Sequence, residues 1–318
     1  MALVFELAHR VKEIRGAEWE GLAIDDLWLD NLFLSVRLSD GAVGLALNYD
    51  QEGPGVPAAL AESTRSALLL ESRSDPLLWS RLTRPSDSHA QTALLVAVLA
   101  ALSAPILIDE RRLSRLGWKS SEGRIPLASF RHLGTPNVTV VGGGGYLAEA
   151  MRQDWLAGLT CSDFNFANPE FRRANPTMFA RMAERGVSID DGRDTERLIA
   201  QADIICLTAS TLCNGSLEHL LPQGDHGKVV IVEGPSGGVL PGPLFERGVT
   251  HLVHNPVDVD YLVLSKRYSR HCAKGLMSVP SGRFLDLLLP EQRTVRGQTG
   301  LSLEGGRLQG HEVRMGDA

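Results

Sequence analysis

The sequence predicts an α/β protein in which a Rossmann-like parallel-sheet domain follows a smaller α+β domain. Three observations carry this. Apolar, β-branched runs at residues 138–141, 203–208 and 228–232 each pass straight into a loop of small residues, the pattern of strands in a doubly wound sheet. The first of these loops is four consecutive glycines, Gly142, Gly143, Gly144 and Gly145, with a helix pattern behind them. Earlier in the chain, two β-rich runs at 31–38 and 42–48 flank Ser39-Asp40-Gly41, a hairpin signal belonging to an antiparallel unit.

Composition sets the bounds. A chain of 318 residues has room for two domains, expected at 1–117 and 118–290, with 291–318 as a mobile tail. A hydrophobic share of 43% and a charged share of 22% are ordinary for a soluble globular protein. Net charge is −6 without a long basic run, which argues against nucleic acid as a partner. The four cysteines, Cys161, Cys206, Cys213 and Cys272, contain no C-x-x-C pair, so a reducing compartment is expected rather than a disulfide framework. The N-terminus carries Glu6 and no long apolar core, unlike a signal peptide. The apolar run 93–108 contains Ser103 and Pro105 and is short for a membrane span, so it reads as a buried helix of a cytoplasmic protein.

In chain order, residues 2–10 suit a short helix and 11–24 an extended segment. The hairpin follows, and Gly44 and Ala46 leave room on its second strand for another element to pack closely. Residues 53–57 form a Gly/Pro loop. Three helices come next: 64–73 capped by Ser63, one opened by Ser74-Asp75-Pro76, and 89–102 capped by Asp87 or Ser88. A meander followed by helices is an α+β pattern. Residues 118–135 are polar and read as a connection between domains.

The second domain begins with a strand at 138–141 and a helix at 146–156. A second strand is expected at 159–163, a loop at 165–176, a helix at 178–185, a third strand at 187–189 and a helix at 194–201. The fourth strand, 203–208, leads through a loop at 209–214 to a helix opened by Gly215 and Ser216, with Glu218 in its first turn. The fifth strand is 228–232, the sixth 251–254, and 258–274 reads as a helix.

The candidate chemistry is binding rather than bond-making. Glycines Gly142, Gly143, Gly144 and Gly145 permit close backbone approach, and the helix behind them offers amide donors, so all four are candidate cofactor contacts. Asp163 stands 18 positions after Gly145, near the spacing at which an acid holds ribose hydroxyls; its alternative is a loop cap. Thr211, Asn214 and Ser216 sit at one strand edge, Glu233 and Ser236 at the next, as candidate substrate contacts. The expected cofactor contains adenosine, S-adenosylmethionine ahead of NAD. A metal ion stays open: His219, His251, His254, His271, Cys213 and Cys272 are the candidate donors. Strand alternation sends His251 and His254 to opposite faces, so packing explains them better. Cys213 stands at a strand-to-helix edge, where helix N-terminal donors would lower its pKa, so it is open to a nucleophilic role as well as to packing. Gly234-Pro235-Ser236-Gly237 lacks the glycine spacing of a nucleophile elbow, and no catalytic residue is assigned.

The stretches TASTLCNGSLEHLL and VVIVEGPSGGVLPGPLFERGVTHLV resemble the putative heavy-metal chelation family. The matching features are T-x-x-N-G-[ST]-x-E (Thr211, Asn214, Gly215, Ser216, Glu218), the Gly234-Pro235-Ser236 run, and Pro241, Leu244, Phe245, Gly248 and Val249. The likeness spans most of 138–262, and 11–49 weakly resembles the family's first domain. It implies an enolase-N-like domain fused to a Rossmann-like domain. The glycine loop departs from the family, whose members more often show one glycine before an aromatic-Pro pair; this moves the chain towards a nucleotide-type or S-adenosylmethionine-type loop. The function expected of the chain is that of an enzyme on a small polar metabolite, in metallophore or heterocycle metabolism. The alternative is a non-catalytic binder of a heavy metal or its chelate. The expected partner is a small-molecule ligand, with no nucleic acid and no membrane; a homodimer is compatible with the sequence.

Overall fold

A computed structural model describes residues 2–29, 33–47, 58–84, 88–222, 227–254 and 270–274. The chain opens with α1 (Ala2–Arg15) and an antiparallel meander of β1 (Ile24–Leu29), β2 (Phe33–Leu38) and β3 (Val43–Leu47). The expected Asp-Gly turn joins β2 to β3. Gly41 adopts φ 84°, and Asp40 accepts a hydrogen bond from the Ala42 backbone at 3.0 Å. Helices α2 (Ala58–Glu71), α3 (Trp79–Leu82), α4 (His89–Leu107) and α5 (Glu110–Arg115) follow.

The second half runs β4 (Trp118–Glu122), β5 (Asn137–Val141), α6 (Gly145–Ala150), β6 (Gly158–Ser162), α7 (Pro169–Ala174), α8 (Pro176–Glu184) and β7 (Ser188–Asp190). It continues through α9 (Thr195–Gln201), β8 (Ile204–Thr208), α10 (Leu217–Leu220), β9 (Val229–Glu233), α11 (Gly242–Glu246), β10 (His251–His254) and β11 (Arg270–Lys274). These strands form one sheet in the order β4-β11-β10-β9-β8-β5-β6-β7. From β10 to β7 all neighbours are parallel. Numbered from β5, that stretch has the 3-2-1-4-5-6 order of a Rossmann sheet. Strands β11 and β4 extend the sheet antiparallel at one edge.

Side-chain alternation divides the parallel sheet between two cores. Ile205, Leu207, Val230, Val232 and Leu252 join the core of α1, the meander and α4. The intervening Ile204, Cys206, Ile231 and Val253 join Val138, Val140, Tyr146, Phe166 and Met182 on the other face. The N-terminal unit therefore covers one face of the sheet. Helix α4 is its centre. It is long and apolar enough to cross a membrane by length and composition, yet 78% of its apolar window is buried within the protein. It lies directly on β3: a Cβ added to Gly44 would stand 2.0 Å from the Ala97 carbonyl oxygen and 2.2 Å from the Ala101 nitrogen. The close packing expected at Gly44 is made by α4.

Several local expectations are corrected. Residues 11–15 stay helical because Leu3, Val4, Leu7, Ala8 and Val11 form one buried stripe at helical spacing. The extended segment starts only at Ile24, as β1. Helix α2 starts at Ala58, so Ser63 lies inside it. Asp75 closes a turn before α3, accepting from the Ser80 backbone at 2.8 Å. Ser88 caps α4 by accepting from the Gln91 backbone at 3.3 Å, but the helix passes through Pro105 to Leu107. Around that proline, Arg15 Nε donates to the Leu102 carbonyl at 3.1 Å and Ser103 to the Leu99 carbonyl at 2.7 Å. The supposed connection at 118–135 contains the sheet strand β4 and a 3-10 segment. Helix α6 ends at Ala150 rather than 156. The supposed loop at 165–176 holds α7, opened by Asn168-Pro169, whose Asn168 side chain accepts from the Glu170 backbone at 2.8 Å. Of the helix expected at 258–274, residues 258–269 lie outside the described residues and Arg270–Lys274 is a strand. The loop at 53–57 and the tail at 291–318 lie outside them as well.

Candidate functional site

Strand order reverses between β5 and β8, so the connections leaving their carboxyl ends diverge and open a crevice. A cleft of about 660 Å³ lies there, within the range usual for small-ligand sites. Its floor is made by Gly142. This residue has φ 84° and donates to the Ser162 carbonyl at 2.8 Å; a Cβ on it would stand 2.2 Å from Thr208 Cγ2. Only glycine lets the tips of β5 and β8 meet so closely.

One wall follows β6. Asp163 lines the cleft and also caps the next turn, accepting from the Asn165 backbone at 2.9 Å. Burial raises its carboxyl above the ordinary range, while the Asn165 backbone and side chain pull it down. Of the two roles foreseen for Asp163, the cap is formed, and the residue also stands in the cleft wall. Phe164, 55% exposed, and Asn165 stand beside it at the lip. The loop of residues 192–194 and the first turn of α9, 195–197, close this wall. Asp190, at the tip of β7, shapes that loop: it accepts from Ser162 Oγ at 2.6 Å, the Gly192 backbone at 3.1 Å and the Asp194 backbone at 3.3 Å.

The opposite wall is the stretch after β8. Thr211 donates its hydroxyl to the Thr208 carbonyl at 2.6 Å, and Thr208 and Ser210 exchange a hydroxyl hydrogen bond at 3.0 Å. Asn214 Oδ1 accepts from the Ser216 backbone at 3.0 Å and from Ser216 Oγ at 2.7 Å. A backbone N–H can only donate, so this contact fixes which amide atom is oxygen. The Oδ1 acceptor is thus used internally. Thr211, Asn214 and Ser216 all line the cleft.

The remaining candidates lie elsewhere. Gly143 and Gly144, with φ 63° and 90°, shape the turn but are not part of the cleft wall. Gly145 is buried against Arg124 and Glu233. Glu233 leaves the proposed substrate set because it is held in an ion pair, Arg124 Nε to Glu233 Oε1 at 3.2 Å. Ser236 leaves it because it is a strut: 1% exposed, it accepts from the Leu47 backbone of β3 at 3.0 Å and so ties the meander to the parallel sheet. Lys228 caps the end of α9, donating to the Ala202 carbonyl at 2.6 Å and the Ala200 carbonyl at 2.8 Å, at the strand end away from the cleft.

A thiolate–imidazole metal centre does not fit the described residues. Among them no three His, Cys, Asp or Glu side chains gather around one point. His219 is exposed, His251 packs edge-on to Phe130 at 5.3 Å, and His254 is buried. The side chains of His271 and Cys272 lie outside the described residues. Burial pushes the Cys161 thiol up to about 12 and the Cys213 thiol up to about 11. Both are buried, protonated thiols at neutral pH, the state that disfavours nucleophilic attack. Cys213 is thus a packing residue.

Sequence reasoning passed over Phe164, Asn165, the 192–194 loop with the first turn of α9, Arg124 and Glu149. The loop had a signal, since Asp191-Gly192 directly follows a strand and marks a turn at the same carboxyl edge. Arg124 and Glu149 had none: each meets its partners only through the folded sheet.

Fold and cleft together define a two-part α/β protein of Rossmann topology with a polar crevice at the switch point. Residues 172–265 match the DUF364 family, described as putative heavy-metal chelation, which bears out the resemblance carried by the Thr211–Glu218 and Gly234–Ser236 motifs. Two crystal structures share the fold. A DUF364-family protein of unknown function from Pyrococcus horikoshii is 18% identical, with a TM-score of 0.53 over 80% of this chain and 88% of that one. A second, from Desulfitobacterium hafniense DCB-2, is also 18% identical, with a TM-score of 0.50 over 78% and 86%. No curated protein matches the chain.

Proposed function

We propose that the switch-point cleft binds a small polar metabolite with an adenosyl portion, S-adenosylmethionine before NAD. We read the protein as an enzyme on such a metabolite in metallophore or heterocycle chemistry. The observation that carries this reading is Asp163 at the carboxyl tip of β6, beside the exposed Phe164 ring. An acid at that tip is where a Rossmann sheet holds ribose hydroxyls, and an aromatic face beside it suits a base. Asn214 supplies donors for an acceptor group of the ligand, such as a carboxylate. The free thiols Cys161, Cys206 and Cys213 support a reducing, cytoplasmic setting.

The family's description favours a second reading, a non-catalytic protein that takes up a metal chelate. A chelate brings its own donors, so the hydroxyls and amide of the cleft would suffice to hold it. Native mass spectrometry of protein purified without chelator separates the two. An adenosyl ligand carried through purification supports the first reading, and stoichiometric metal supports the second. Calorimetry with S-adenosylmethionine, S-adenosylhomocysteine and NAD completes the test: no heat from any of them overturns the adenosyl reading.

A further inference from the structure

We infer that Glu233 fills the phosphate position of the glycine loop, so that the cleft takes adenosyl ligands carrying no phosphate at the 5′ carbon. The inference rests on the adenosyl reading above and narrows it to a chemical class. In a Rossmann unit the phosphates of a nucleotide lie on the first backbone N–H groups of the helix after the glycine loop. Here that place belongs to the protein's own carboxylate. A Cβ added to Gly145 would stand 3.1 Å from Glu233 Oε1 and 2.7 Å from Arg124 Nη1. The Tyr146 backbone N–H donates to the Glu233 carboxylate.

The carboxylate is anchored from behind. Arg124 reaches it through Nε at 3.2 Å and Nη2 at 3.5 Å, and pairs with Glu149 Oε2 at 3.4 Å. The guanidinium lies 3.6 Å over the Tyr146 ring. Glu149 accepts from the Leu127 backbone at 2.5 Å, and Tyr146 donates its hydroxyl to the Ile125 carbonyl at 2.7 Å. Side-chain exposure is 1% for Arg124, 5% for Glu149 and 11% for Glu233. Two carboxylates share one guanidinium, so the cluster has no surplus positive charge for an incoming phosphate. To bind there, a phosphate must displace a buried, ion-paired carboxylate and leave Arg124 and Glu149 to rearrange, which is strongly unfavourable. A neutral or cationic 5′ substituent meets no such barrier.

The test is calorimetry on the full chain with 5′-methylthioadenosine, adenosine, AMP and ADP. The expected result is that affinity falls about tenfold or more from adenosine to AMP, and no less to ADP. In Glu233→Gln, which keeps the side-chain shape without its charge, that gap should narrow to about threefold while adenosine affinity stays within threefold of wild type. AMP binding to wild type as tightly as adenosine overturns the inference alone. So does an undiminished gap in a folded Glu233→Gln protein. If that variant does not fold, the wild-type series decides by itself. If neither adenosine nor 5′-methylthioadenosine binds, the adenosyl reading falls and takes this inference with it.

Discussion

Asp163 holds a turn from a position in the cleft wall, where the same side chain would also meet a ligand under the reading proposed above. Its carboxylate accepts from the Asn165 backbone, and the same residue forms part of the cleft wall. Replacement by Asn keeps a good cap, whereas replacement by Ala removes it. Asp163→Ala should therefore lower the apo stability by about 0.5–2 kcal/mol and weaken an adenosyl ligand by about 1–3 kcal/mol. Asp163→Asn should keep the apo midpoint and still weaken the ligand. Equal affinities of both variants and wild type in calorimetry would return Asp163 to capping alone. Asn214 poses the same question. Asn214→Ala should lose ligand-induced thermal stabilisation, and a lowered apo midpoint with that stabilisation intact would refute its binding role. The buried thiols make a pH prediction. Both Cys161 and Cys213 titrate above their ordinary 9.0, at about 12 and about 11. Their contribution to stability is full below the unfolded value and is lost as pH rises through the folded values. In the native protein Cys161 and Cys213 should resist iodoacetamide at pH 8, and the protein should become less stable above pH 9; rapid alkylation of either residue in the folded protein, read by peptide mass mapping, would contradict this burial. Thr211, Asn214 and Ser216 were legible as cleft residues because a strand-to-helix edge is a local pattern. Glu233 and Ser236 were not, because Arg124 and Leu47, the residues that claim them, are remote in sequence.

Among the elements, α4 and β3 have the tightest dependence on each other. The space over Gly44 is filled by backbone atoms of α4, which cannot move aside as a side-chain tip would. Gly44→Val should separate helix from strand and destabilise by about 1–3 kcal/mol or more, read as a lowered thermal midpoint. An unchanged midpoint would mean that α4 is not held on β3. The parallel strands β5, β8 and β9 were legible from apolar runs ending in small loops, since burial on both faces imposes that composition. Strands β4 and β11 were not. They are the polar edge of the sheet, and what makes them strands is their pairing, Arg270 opposite Glu122 through Lys274 opposite Trp118. Helix α1 was read too short because its charged face obscured a buried stripe that only β1 and α4 make obvious.

At the scale of the molecule, the two halves share a core. Residues of the meander and α4 pack in one cluster with Ile205, Leu207, Val230, Val232 and Leu252 from the parallel sheet, and Ser236 satisfies the Leu47 backbone across the junction. Separating the halves would expose that whole apolar face, so the protein should unfold in a single calorimetric transition. Two resolved transitions would show that the halves are energetically independent. The amino-acid pattern alone determined the class of fold, the Asp-Gly hairpin, the main parallel strands and the carboxyl edge at which a ligand site would form. Those features depend on period, turn chemistry and burial, which are written locally. Only the tertiary structure decided which edge residues face the cleft. It turned Thr211 and Asn214 inward, put Ser236 into the junction, and laid Glu233 on the glycine loop beside Arg124. The reason is physical: a buried polar group goes to the partner that satisfies it, and that partner is found by folding, not by proximity along the chain.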